Sequence, residues 1–148
     1  MDSIFNTAFE MSLRILLLLS SDKGIAKTAD MLALSDTIAI YGGAFDLSDD
    51  NLHGDIDFVL DEFDARRELV KQALNSLVLR GLITVSQYDD GFRYVISNAG
   101  QAFCCGLGSD YAKEYRQLAV ATHRLINEMT EREVFAMINA TAKRYIGR

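Results

Sequence analysis

The chain has 148 residues, 49% apolar and 24% charged, a globular composition with enough length for one domain and a buried core. Its 15 Lys and Arg face 21 Asp and Glu, and the net charge of −6 argues against a free-standing nucleic-acid binder. Two adjacent cysteines, Cys104 and Cys105, form neither a disulfide framework nor a usual zinc spacing with His53 and His123, which points to a reducing cytoplasm.

In chain order, a first helix is expected over 8–20. Thr7 and Glu10 fit a capping box, with Asn6 as the other candidate cap. Its most apolar run, 15–19, is far short of the roughly 20 residues of a membrane span, and the start at Met1-Asp2-Ser3 lacks the basic region of an export signal. Most of this helix is apolar, so it should be covered on more than one side. A second helix, 29–41, is stopped by Gly42-Gly43. Between Lys27 and Arg66 there is no cation but there are ten carboxylates, eight of them from Asp46 to Asp64. The segment 44–64 therefore reads as an acidic loop, long enough to be functional or mobile. A third helix follows with Asp64 as its N-cap. Leu69, Val70, Ala73, Leu74, Leu77 and Val78 form its stripe, and Arg66, Arg67, Lys71, Gln72 and Asn75 face away. Gly81 ends it. Strands at 83–87 and 92–96 flank the turn residues Asp89-Asp90-Gly91. A short helical turn leads to Phe103. From Ser109, Tyr111, Tyr115, Leu118, Thr122, Leu125 and Met129 make a heptad seam. Thr130 and Glu133 form a second capping box, after which Val134, Phe135, Ile138, Ala142 and Tyr145 continue an apolar face.

This order predicts a mainly α fold with a small β-hairpin, a winged helix-turn-helix. The chain is expected to be one domain, 1–148, with a winged-helix core at about 8–104, the acidic insertion 44–64 and a C-terminal helical extension 109–148. Such folds commonly place the third helix in the DNA major groove. Arg66, Arg67, Lys71 and Arg93 are then the candidate contacts, and an ordinary solvated face is the competing reading, favoured by the carboxylates beside them. Fold alone does not settle function.

Several short motifs suggest a family. They are Asn6 to Glu10 and Leu13 to Leu19, then Leu34-Ser35-Asp36, Tyr41-Gly42-Gly43 and Asn51-Leu52-His53. Arg66 to Val70, Leu77 to Ile83, Gly91 to Tyr94, Phe103 and Ser109 to Ala112 complete them. Through these the chain resembles the second type of middle component of bacterial ABC-three-component systems. The resemblance implies a non-enzymatic subunit encoded with an SMC- or Rad50-like ATPase and an effector, often a nuclease, in Lamassu-like defence against phage and plasmids. The subunit would bridge or regulate the two. A free-standing winged-helix transcription regulator is the alternative.

Other chemistries fit poorly. An EF-hand register starting at Asp49 puts Leu60 where the twelfth-position carboxylate is required. His53 and His123 lack a nucleophile in a known arrangement. Gly106-Leu107-Gly108 lacks the rest of a nucleotide fingerprint. No catalytic, metal or cofactor site is therefore expected. The expected docking surface comprises Tyr41, Gly42, Gly43, Asn51, Leu52 and His53, with Tyr115, Leu118 and Leu125 of the seam, because large apolar surface beyond one core's needs marks an interface.

Overall fold

The computed structural model describes residues 7–52 and 63–146, with side chains through residue 144. Helix α1 spans Ala8–Ser20, α2 Ala29–Ile40, α3 Phe63–Leu79, α4 Asn98–Cys105, α5 Asp110–Ile126 and α6 Glu131–Ile146. Strands β1, Ile83–Tyr88, and β2, Gly91–Ile96, form an antiparallel pair. The fold is thus mostly helical with one small sheet among the described residues. None of those helices is long and apolar enough to cross a membrane.

Local chemistry sets the helix starts. Thr7, Thr28, Ser97 and Ser109 each hold an extended backbone and accept an N–H three residues on, satisfying a donor that the first turn leaves free. At α6 the capping box is reciprocal. The Glu133 N–H donates to Thr130 Oγ1 at 3.2 Å, and the Thr130 N–H donates to Glu133 Oε1 at 3.0 Å. The start of α3 differs from the sequence expectation. Asp64 lies inside the first turn rather than capping it, and its exposed carboxylate sits 3.8 Å from Arg67 Nη1.

The core is organised around α1 and α2. Met11 and residues 14–19 are all buried, as the wide apolar face requires, because α1 packs against α3, α5, α2 and α4. Every residue from 32 to 40 is buried where α2 meets α3, α5 and α6. Burial of a single Leu or Ile contributes about 1.5–3 kcal/mol, so these two helices carry much of the core. The hairpin projects from it. Ile83 and Ile96 pair at its buried base, whereas the rest of β1 is exposed. Its turn places positive φ on Gly91, at 121°, and on neither aspartate. The outer edge of β2 is partly covered. Lys27 and Tyr94 exchange backbone hydrogen bonds at 2.9 and 2.8 Å, an isolated antiparallel bridge.

The acidic segment opens with a 3-10 turn, Gly42–Phe45, closed by Asp46 in the left-handed region at φ 60°. Of that expected loop, residues 53–62, including His53, Asp55, Asp57, Asp61 and Glu62, lie outside the described residues, and Phe63 and Asp64 already belong to α3.

Candidate functional site

Four buried polar side chains converge between α1, α2, α3 and α5. Asp36 is their centre. It accepts from Arg14 Nε at 2.8 Å, Arg14 Nη2 at 3.3 Å, Arg66 Nη1 at 3.2 Å and the Tyr115 hydroxyl at 2.7 Å. Arg14, Asp36 and Tyr115 are fully buried and Arg66 nearly so. Burial alone would push the Asp36 carboxyl up. The two guanidiniums and the hydrogen bonds outweigh it and hold the carboxyl below its ordinary range. Burial and the facing Asp36 carboxylate push the Tyr115 hydroxyl well above its usual value, so it stays protonated and donates. Tyr111, stacked on Tyr115 at 6.4 Å, is pushed up to about 12, chiefly by burial. The cluster binds four helices together from inside. Its chemistry is charge compensation in a closed interior, where an unmatched ion would be very costly.

This arrangement corrects the reading of Arg66. Its side chain turns inward to Asp36 instead of lying on the solvent face of α3, so it is not displayed to nucleic acid. Helical spacing carried the signal, since Arg66, Val70, Ala73 and Leu77 follow one another at three or four residues. Arg14 likewise falls among buried neighbours on α1. The other three cations remain outside. Arg67 pairs with Asp30 at 2.9 Å. Arg93 pairs with Asp90 at 3.0 Å and lies over the Tyr88 ring at 4.7 Å. Lys71 is exposed.

The expected docking residues divide in the same way. Tyr41, Gly42, Tyr115 and Leu118 are buried and serve the chain's own packing. A Cβ at Gly42 would come within 2.8 Å of Leu118 Cδ2, and one at Gly43 within 2.9 Å of Asn51 Oδ1. The close approach these glycines permit is therefore internal. Asn51 Oδ1 also accepts the Ala44 N–H at 3.0 Å, which ties the loop back to the 3-10 turn. The seam of α5 is an internal face as well. Ile126 takes the buried place expected of Leu125, which is 38% exposed. Of the expected surface, Gly43, Asn51 and Leu52 are half-buried and Leu125 is exposed, while His53 is outside the described residues.

Exposed apolar side chains gather elsewhere. Phe9 and Phe103 flank a cleft of about 200 Å³ between α1, α3 and α4, lined by Leu13, Leu16, Leu77 and Leu82. Leu79, Val85 and Phe92 border a shallow groove between α3 and the hairpin. Phe9, Leu79 and Phe103 lie off the buried stripes of their helices, whereas Val85 and Phe92 share the face of Ile83 and Ile96 but stand farther out along the hairpin.

Cys104 is buried and Cys105 exposed, both free thiols, and burial pushes the Cys104 thiol up. Among the described residues no group of three or more His, Cys, Asp and Glu is placed to hold a metal ion.

Comparison with curated proteins gives no match, and comparison with solved structures gives none. A family model does match, over residues 4–148, nearly the whole chain. The chain belongs to the family described as ABC-three component (ABC-3C) system Middle Component 2.

Proposed function

We propose that this chain is a non-enzymatic accessory subunit of a cytoplasmic defence complex, docking on an SMC- or Rad50-like ATPase and on an effector encoded beside it. The observation that carries the reading is the family match over residues 4–148. The resemblance of its motifs supplies the ATPase and effector. The surface supports an adaptor role, since Phe9, Leu79, Phe92, Phe103 and Phe135 stay exposed on a small chain.

The architecture is read as a winged helix. Three helices lead into a hairpin, and the Lys27–Tyr94 bridge adds a third short strand segment beside β2. Nucleic-acid contact by the free chain is a weaker reading. Of the three outward cations, Arg67 and Arg93 are already paired with carboxylates of the same chain. Inside the complex, Arg67, Lys71 and Arg93 are the candidates.

Co-expression of the chain with its co-encoded proteins, followed by purification on an affinity tag, tests the adaptor role. A stable assembly is expected, with ATPase and effector activities residing in the other subunits. Sequence-specific, sub-micromolar DNA binding by the chain alone would favour the regulator reading instead.

A further inference from the structure

The hairpin carries an unprotected edge. Tyr94 gives both its N–H and its C=O to Lys27, away from β1. Its cross-strand partner Val85 therefore sits in a non-hydrogen-bonded pair, and by alternation Val85 and Gln87 aim their own N–H and C=O groups outward. Residues 84–88 are all exposed. Neither a charge nor a proline interrupts Ile83-Thr84-Val85-Ser86-Gln87-Tyr88, although proteins ordinarily guard exposed edges with such residues.

We propose that β1 pairs with β1 of a second copy of this chain. The pairing is antiparallel about a two-fold axis at Val85, giving a four-stranded sheet in the order β2–β1–β1–β2. The register follows from which groups point outward. Val85 meets Val85 of the copy in a doubly hydrogen-bonded pair, and Ile83 meets Gln87. Because the axis is perpendicular to the sheet, equivalent faces lie on the same side. Val85, 40% exposed, then gains the copy's Val85 as a facing apolar neighbour, on the face that also carries Phe92. Charge also favours a second copy. The strand is uncharged, so a chain of net charge −6 meets itself there without like-charge opposition. The same register carries exposed Arg80 of each copy toward Asp89 and Asp90 at the other's turn. This inference is independent of the role proposed above.

Sedimentation equilibrium of the full chain, from low to high micromolar, is the test. The wild type is expected to show a monomer–dimer equilibrium. Val85→Pro is expected to be monomeric with unchanged helical circular dichroism, because the Val85 N–H plays no part in the β1–β2 ladder. Val85→Lys is a second variant that leaves the backbone intact. Arg80→Asp should weaken the dimer, and adding Asp89→Lys should restore it. Hydrogen exchange fixes the edge. The Val85 and Gln87 amides should gain protection as dimer forms, while the Thr84 and Ser86 amides are protected in both states. A wild-type chain that stays monomeric throughout overturns the proposal, even if its edge takes a strand of another subunit. A dimer that survives both Val85 variants overturns it too.

Discussion

Arg14 and Asp36, 22 residues apart and both fully buried, are joined by two hydrogen bonds from one guanidinium to one carboxylate, at 2.8 and 3.3 Å. Arg66 and Tyr115 complete the shell of the same carboxylate. Its removal would leave buried guanidiniums facing an empty site. Asp36→Ala and Asp36→Asn are each expected to lose about 3–5 kcal/mol in urea unfolding, the cost of breaking a buried pair. Tyr115→Phe should lose less, about 1.5–3 kcal/mol, because one hydrogen bond to a charged group is removed while both ion pairs to Asp36 stay in place. A loss below that of Tyr115→Phe in both Asp36 variants would mean the interior rearranges around the missing carboxylate.

Acid should act through the same group. The folded-state pKa of Asp36 is depressed, so its contribution is complete above the unfolded value of about 3.9 and is lost as pH falls through the folded value. The wild type should therefore lose stability steeply below that unfolded value. A fold that already lacks the carboxylate, in Asp36→Asn, should show a shallower acid slope.

His123 supplies a second, milder window. Burial lowers its pKa, and Nε2 lies 2.9 Å from the Leu18 carbonyl oxygen, while Nδ1 is buried with no hydrogen-bond partner. The unfolded chain takes up the proton more readily than the folded one, so stability falls as pH drops below about 6.5. His123→Gln should flatten the stability curve between pH 7.5 and 5.5, which thermal melts across that interval will show. An identical slope in the variant would assign the pH dependence to other groups.

The sequence showed the helices because their determinants are local. Thr7, Thr28, Ser109 and Thr130 are each read within four residues, and the expected seam of α5 holds from Tyr115 through Leu118 to Thr122 before Ile126 replaces Leu125. It did not show which face of α5 was already occupied, since Tyr115 is satisfied by Asp36 from 79 residues away. Arg66 sits at the buried helical spacing of Val70, Ala73 and Leu77, but its charge points the reading toward solvent. A cation on a helix looks solvent-facing until its carboxylate, 30 residues earlier, is brought beneath it. Tyr41 and Gly42 looked like an interface because nothing in their neighbourhood announces that Leu118 will cover Gly42.

Gly100 is expected to be the least replaceable glycine among those described. A Cβ there would fall 2.1 Å from the Leu82 carbonyl oxygen and 2.7 Å from Ile96 Cγ1, where α4 lies against the base of the hairpin. The first obstacle is backbone and cannot swing aside. Gly100→Ala should cost about 3 kcal/mol or more, at the upper end of overpacking. Gly106→Ala, whose Cβ would sit 3.4 Å from the Phe103 carbonyl oxygen, should be close to neutral and serves as the control. Equal melting temperatures for the two variants would show that α4 can lift from the hairpin at little cost.

Folding and assembly make separate demands on the surface that joins α2 to α5. Tyr41 is 7% exposed and Leu118 is 5% exposed, so truncating either removes core packing. Tyr41→Ala should lower stability by about 3–5 kcal/mol, as large aromatic truncations in cores do. Any loss of assembly in that variant would then follow from loss of fold. Leu125 is different. At 38% exposed it can be charged without burying the charge, and Leu125→Asp should keep the wild-type melting temperature within a degree or two, as surface changes do. If the outer side of α5 meets the co-encoded subunits, Leu125→Asp should co-purify with them in markedly lower yield while remaining folded. Phe9→Ser with Phe103→Ser is the matched comparison, because both rings stand out around the cleft between α1 and α4. Full assembly of Leu125→Asp with failure of the double variant would move the docking surface from α5 to that cleft. Full assembly of both would exclude each of them as an essential contact.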